Sequence, residues 1–181
     1  MQRAIVQPAD LSGAALDELK QWLGISRNTE DTQLLSLLQA SLEICEAFTG
    51  QVPVEAEIEE RLALCNLWQR LTSRPVRAIT SAELLAIDGT QAPLASSDYE
   101  IDIDAHSCGS FRLGTNGEGQ AMIVRCRAGI AVDWSSLPDA LRHGIIRLAA
   151  YHYRDRDAEK ALTPPASVAA LWRPWRLLRL A

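Results

Sequence analysis

The sequence predicts a mainly α-helical protein, a helical bundle with a small antiparallel β-sheet inserted in its middle third. Three observations predict this fold. Apolar residues recur with a period near 3.6 in residues 13–73 and again in 137–157, the period falls to about 2 between residues 75 and 133, and glycine or proline separates the segments. A chain of 181 residues can bury a substantial core, so we expect a single domain over residues 1–181.

The N-terminal part of the bundle is predicted to contain three helices. Residues 13–23 form the first and end at Gly24, the second begins near Thr29 and ends before Gly50, and residues 55–72 form the third after Pro53. Each segment carries apolar residues at helical spacing: Leu16, Leu19, Trp22 and Leu23; Leu34, Leu38, Leu42 and Cys45; Ile58, Leu62, Cys65, Trp68 and Leu71.

Residues 75–133 are predicted to form the β insertion. Asp88-Gly89 is a strong turn pair, and residues 99–104 alternate apolar and acidic side chains as a half-exposed strand does. Gly114 to Gly119 form a glycine-rich stretch between two strands. We interpret this stretch as a hairpin tip, not a phosphate-binding loop, because phosphate-binding loops lead into a helix and here a strand follows.

The last 45 residues begin with a long amphipathic helix over residues 137–157, for which Ser135 or Ser136 is the expected N-cap. Thr163-Pro164-Pro165 then breaks the chain before a tail of residues 164–181. Tryptophan and arginine are the residue types that most often anchor protein interfaces. We therefore predict that the tail binds a partner, although its tryptophans could instead cover a local core; the candidate interface residues are Trp172, Arg173, Trp175, Arg176 and Arg179.

Composition excludes several classes of protein. The net charge of −5 argues against a surface devoted to nucleic acid, and neither a signal peptide nor a membrane span is predicted, so we expect a cytoplasmic protein. Acidic residues concentrate between positions 17 and 60, and arginines concentrate near the end of the chain. The four cysteines show no metal-binding spacing, and we expect them to be reduced and structural: Cys45, Cys65, Cys108 and Cys126.

No catalytic, cofactor or metal site is predicted. His106 and Cys108 lie in one loop close to Asp102 and Asp104, but a metal needs three or four convergent ligands, and a catalytic thiolate needs a base that the fold positions. Glu100, Asp102 and Asp104 are better explained as solvent-facing residues of an edge strand. We therefore expect a protein that is not an enzyme.

Four segments in order resemble the head–tail connector, or adaptor, proteins of long-tailed bacteriophages and of phage-derived gene transfer agents. They are residues 16–25, residues 30–50, residues 137–156 and residues 165–176, which together span nearly the whole chain. The fourth segment departs from the usual pattern of these proteins, because tryptophans stand where aliphatic residues or tyrosine are common.

The resemblance implies a single connector domain that forms a twelvefold ring beneath the portal vertex at the head–tail junction of a virion or phage-like particle, assembled in the bacterial cytoplasm. Such a ring extends the channel for double-stranded DNA without reading its sequence, its C-terminal segment binds the portal protein, and its other end receives a head-closure, stopper or tail-terminator protein. These proteins have no catalytic residues. The alternative is a small helical regulatory protein that binds a partner protein or nucleic acid.

Overall fold

The computed structural model describes residues 2–114, 119–155 and 163–177. The chain divides into two compact units. Residues 1–8 and 55–130 form a β unit, and residues 9–54 and 131–181 form a helical unit. The chain leaves the helical unit after Val54 and re-enters it at Ala131. These two residues pair in a parallel bridge, and the N–H of Ala131 donates to the carbonyl of Pro53 at 3.1 Å.

Eight strands are described in the β unit, in two antiparallel sheets. The five-stranded sheet has the order β1-β2-β8-β4-β5, and the three-stranded sheet has the order β3-β7-β6. Strand β1, at one edge of the larger sheet, was not predicted from the sequence. The strands are β1 Gln2–Gln7, β2 Ala56–Ala63, β3 Gln69–Arg70, β4 Val76–Leu85, β5 Gln91–Pro93, β6 Tyr99–Ile103, β7 Gly109–Leu113 and β8 Ala121–Ala128.

The predicted third helix, residues 55–72, is wrong: this segment forms strands β2 and β3 and the loop between them. Ile58 and Leu62 are four residues apart, a spacing that suits one face of a helix and equally one face of a strand. The alternation of apolar and polar residues that marks a strand is interrupted at Glu60, because this acidic residue faces inward and is fully buried. Its carboxylate accepts hydrogen bonds from the backbone N–H groups of Thr72 at 2.8 Å and Ser73 at 2.7 Å. These hydrogen bonds offset the cost of burying the carboxylate in the core.

The three-stranded sheet buries part of one apolar face, while Ile101 and Ile103 of β6 on that face stay exposed. Phe111 and Leu113 of β7 are buried, and Tyr99 of β6 stacks on Phe111 with ring centroids 5.1 Å apart. The other face is polar. There the Glu100 carboxylate accepts a hydrogen bond from Arg112 at 2.6 Å, and the guanidinium of Arg112 lies 5.0 Å from the ring centroid of Trp68.

Four α-helices are described in the helical unit: α1 Ala14–Leu23, α2 Asp31–Thr49, α3 Asp139–Arg154 and α4 Ala166–Trp172. The first two confirm the predicted helices, and their glycine terminators Gly24 and Gly50 adopt left-handed conformations with φ of 72° and 74°. Helix α3 confirms the predicted long helix up to Arg154. It begins after Pro138, however, not at Ser135 or Ser136, because the Ser136 hydroxyl bonds within its own turn to Asp133.

Helices α2 and α3 pack along one apolar seam. The buried residues of the seam are Leu34, Leu38, Leu42 and Cys45 from α2 and Leu141, Ile145, Leu148 and Ala149 from α3. Polar contacts fix the ends of the helices. The Lys20 ammonium donates to the Asp31 carboxylate at 2.8 Å, and the Tyr153 hydroxyl donates to the Glu30 carboxylate at 2.6 Å.

The fold class predicted from the sequence therefore needs correction. The protein is not a mainly helical bundle with a small β insertion. Two antiparallel sheets form a unit comparable in size to the helices, since it takes residues 55–73 from the predicted bundle and adds the N-terminal strand β1.

Candidate functional site: the C-terminal segment

The predicted docking tail begins with a short helix that is buried along one side. Pro164 and Pro165 precede α4, and the carbonyl of Pro165 accepts the N–H groups of Val168 and Ala169, each at 2.9 Å. Val168 and Trp172, four residues apart, are both buried. One face of α4 therefore joins the core of the helical unit.

Trp172 is the centre of this attachment and is fully buried. Its indole N–H donates to the carbonyl of Leu141 at 3.3 Å, and its ring centroid lies 6.1 Å from that of Phe48. Gly144 supplies the space for the indole. A β-carbon at Gly144 would lie 2.8 Å from Cε2 of Trp172, closer than carbon atoms pack. Of the two roles considered for Trp172, covering a local core fits this burial, whereas contact with a partner does not.

The residues after Trp172 lie along the C-terminal end of α2. The Gln51 side-chain amide donates to the carbonyl of Trp175, and the N–H of Leu177 donates to the carbonyl of Thr49 at 2.8 Å. The Arg176 guanidinium stacks 5.3 Å from the centroid of Phe48. Hydrogen bonds from a side chain and from the backbone thus hold the main chain of this segment against the end of α2.

The tail presents cationic groups that lack a carboxylate partner within the described ranges. Arg173 and Arg176 are exposed, Trp175 is half-buried, and no described carboxylate lies within 4.0 Å of either guanidinium. Arg173, Trp175 and Arg176 therefore all retain exposure to solvent, within four residues of the buried Trp172. Arg179 lies outside the described residues.

The loop that contains His106 and Cys108 is a tight turn. The Asp104 carboxylate accepts the backbone N–H groups of His106 at 2.8 Å and Cys108 at 2.9 Å. These hydrogen bonds, led by that of Cys108, lower the pKa of Asp104 below its usual value. The Cys108 thiol is buried and its only described hydrogen bond, 3.9 Å long, goes to the carbonyl of His106. Asp104 therefore stabilises the turn, and the described hydrogen bond between Cys108 and His106 uses the backbone carbonyl of His106.

The remaining candidate groups are also accounted for as structure. All four cysteines are free thiols; burial raises the pKa of Cys45, and raises that of Cys126 to about 12, which suits their predicted structural role. Cys65, expected on a helix, lies in the loop after β2. Of the glycine-rich stretch, residues 115–118 lie outside the described residues, and the next element is β8, a strand.

The described part of the chain contains no group of three histidine, cysteine, aspartate or glutamate residues able to hold a metal ion. Within the same ranges, none of the helices has the length and apolar character to cross a membrane.

Comparisons with known proteins identify structural relatives. No protein-family model matches the chain, and no curated protein matches it in sequence. Among the solved structures that match, three do so at 24% sequence identity, each match covering 100% of this chain and 98% of the other. They are chains of the neck of an empty gene transfer agent (GTA) particle computed with C6 symmetry, of the native GTA virion, and of the native GTA neck computed with C12 symmetry, with TM-scores of 0.80, 0.75 and 0.78. The chain shares their fold. The likeness includes both units, since the whole chain is covered.

Proposed function

We propose that the protein is a structural component of the neck of a phage-like particle, where copies of it form a ring, most simply of twelve, that joins the head to the tail. The observation that carries the proposal is the end-to-end likeness to chains of GTA particle necks, which were computed with sixfold and twelvefold symmetry. The same proposal places the protein at the head–tail junction after assembly in the cytoplasm, and it assigns the protein no reaction.

The C-terminal segment supports a role in docking within that ring. Arg173, Trp175 and Arg176 face outward from a backbone that Trp172 anchors, so little conformational freedom would be lost on binding. We assign this group to the portal protein, and we assign the opposite end of the ring to a head-closure, stopper or tail-terminator protein. The overall charge of −5 is compatible with a channel through which double-stranded DNA slides.

The proposal is tested by complementing a particle-producing strain that lacks this gene with variant chains. A double variant, Arg173→Glu with Trp175→Ala, leaves the buried Trp172 intact and is expected to fold. Electron microscopy should show about tenfold fewer tailed particles for this variant, because a reversed charge and a lost indole at one contact weaken every copy in the ring.

The matched control is Arg27→Glu, which reverses another exposed arginine with no described ion pair. It should yield tailed particles at the parental level. Thermal unfolding of both purified variants separates a binding defect from a folding defect. Normal tailing with the double variant would refute the docking role, and absence of the parental protein from purified particles would refute the neck assignment itself.

A further inference from the structure

Helix α3 carries a stripe of basic and aromatic side chains, half-buried or exposed, opposite its buried seam. His143, Arg147, Tyr151 and Arg154 follow one another at intervals of four, four and three residues, which places them on one side of the helix. Tyr151 is 48% exposed, Arg154 is exposed, and His143 and Arg147 are half-buried. The core residues Leu141, Ile145 and Leu148 occupy the other side.

Trp22 of α1 extends this surface. Its ring meets that of His143 edge to face, with centroids 5.2 Å apart, and 46% of the residue remains exposed. The sequence predicted Trp22 within the core stripe of its helix, so this exposure is a correction. We call the set Trp22, His143, Arg147, Tyr151 and Arg154 the basic–aromatic stripe.

The chemistry of the basic–aromatic stripe suits protein binding. Tryptophan, tyrosine and arginine are the residues whose truncation most often weakens interfaces. Arg142, one turn earlier on α3, is paired within the chain to Asp139 at 2.8 Å and Glu18 at 3.6 Å. For Arg147 and Arg154, no ion pair is found with any carboxylate of the described ranges. Within those ranges, Arg147 and Arg154 thus differ from Arg142, whose charge is already paired inside the chain.

The outward side of α2 carries one exposed carboxylate that could meet such a charge. Glu43 lies there, exposed, with only a 3.3 Å hydrogen bond from Gln39 on its own helix. Thr32, Ser36 and Ala47 share that side and are also exposed, and this side carries no arginine or lysine. Because α2 and α3 pack against each other through their buried seams, their exposed sides point away from one another.

This arrangement matches what a closed ring requires. A head-to-tail contact joins two different patches of the same chain, and a twelvefold ring turns by about 30° per copy, so the patches must lie on nearly opposite sides. At 1.5 Å per residue, the stripe from His143 to Arg154 is about 16 Å long, and the α2 side from Thr32 to Ala47 is about 22 Å long. The outward side of α2 is long enough to receive the stripe.

We propose that the basic–aromatic stripe of one copy binds the outward side of α2 on the next copy of the same chain, with Arg147 or Arg154 paired to Glu43. This inference rests on the proposed ring, and it deepens that proposal by naming the contact between copies. The stripe belongs to α1 and α3, and the docking group assigned to the portal lies on the tail.

The direct test is a crosslink between copies in assembled particles. Arg147→Cys and Glu43→Cys are introduced into one chain with Cys65→Ser, which removes the half-buried thiol. Mild oxidation of purified particles should then produce a ladder of disulfide-linked oligomers of this chain on a non-reducing gel. The two matched controls carry only one of the introduced cysteines, at position 147 or at position 43, together with Cys65→Ser. Each control should produce no disulfide-linked species larger than a dimer.

Charge reversal supplies a second measurement. Arg147→Glu with Arg154→Glu should reduce incorporation of the protein into particles by about tenfold, and adding Glu43→Arg to that variant should restore most of it. Arg27→Glu again serves as the control for an exposed arginine.

The outcomes distinguish the two proposals. Parental protein present in particles, with neither a ladder nor an effect of charge reversal, would overturn the contact while leaving the neck assignment in place. A reversed variant that assembles normally but packages less DNA would also overturn it, since the stripe would then bind DNA. Parental protein absent from particles would overturn the neck assignment and the contact with it.

Discussion

Gly144→Ala should destabilise the helical unit, although glycine to alanine in the interior of a helix usually stabilises by about 0.5–1 kcal/mol. The reason is the indole of Trp172. The new methyl carbon would lie 2.8 Å from Cε2 and 3.0 Å from Cδ1 of that ring, whereas carbon atoms at contact are about 3.5–4.0 Å apart. Nε1 of the ring would lie closer still, so the ring must shift by at least about 1 Å.

The expected loss follows from three contributions. Overpacking of a filled core typically destabilises by about 1–3 kcal/mol. A shift of the indole also weakens its hydrogen bond to Leu141, worth about 1 kcal/mol, and the gain in helix propensity offsets part of the sum. The net loss should be about 1–3 kcal/mol, below the roughly 3–5 kcal/mol expected for Trp172→Ala, which removes the buried ring altogether.

The assay is urea unfolding followed by circular dichroism, with Gly144→Ala measured in two backgrounds. With Trp172 present, the unfolding midpoint should fall. With Trp172→Ala, the obstructing ring is gone, and Gly144→Ala should raise the midpoint, so the two effects have opposite signs. A higher midpoint in both backgrounds would refute the packing of Trp172 on Gly144.

Three further predictions concern single groups. Glu60→Gln should lower the free energy of unfolding by about 1–3 kcal/mol, because an amide cannot replace both carboxylate oxygens as acceptors for Thr72 and Ser73; a change below about 0.5 kcal/mol in urea unfolding would contradict this. In the folded protein at pH 8, a thiol reagent should label Cys65 and spare Cys126, whose pKa is raised to about 12, as mass spectrometry of the modified chain would reveal. Since hydrogen bonds lower the pKa of Asp104 in the folded state, its stabilising contribution is complete above pH 3.8 and is lost as pH falls through the lowered value; Asp104→Asn should flatten the decline of the melting temperature with acid, and an unchanged decline would argue against it.

The helices α1, α2 and α3 could be predicted because local signals agreed. Their apolar periods, the left-handed Gly24 and Gly50, and the prolines before α3 and α4 all act within one or two turns of the chain. Strand β2 could not be predicted in this way. Its inward Glu60 is satisfied by amides twelve and thirteen residues further along the chain, and its neighbours β1 and β8 are distant in sequence.

The portal-binding role predicted for the C-terminal segment stays a prediction, and the sequence did not separate the packing of its two tryptophans. The type and spacing of Trp172 and Trp175 drew attention to the segment without showing which of them is buried. Only the fold shows that Gly144, 28 residues before Trp172, makes space for the indole of Trp172. It also shows that Trp175 is only half-buried. The spacing of apolar residues in α1 likewise placed Trp22 on the buried side of that helix, although 46% of the residue is exposed. The sequence of one helix does not show how far the neighbouring helices extend along it.

The adjacency of Val54 and Ala131 makes the intervening segment modular. Because residues 55–130 begin and end at neighbouring residues, the loops within them can lengthen or shorten without changing the distance between α2 and α3. A short linker could span the distance between those two points, but replacing residues 55–130 would also leave β1 without β2, the strand with which it pairs.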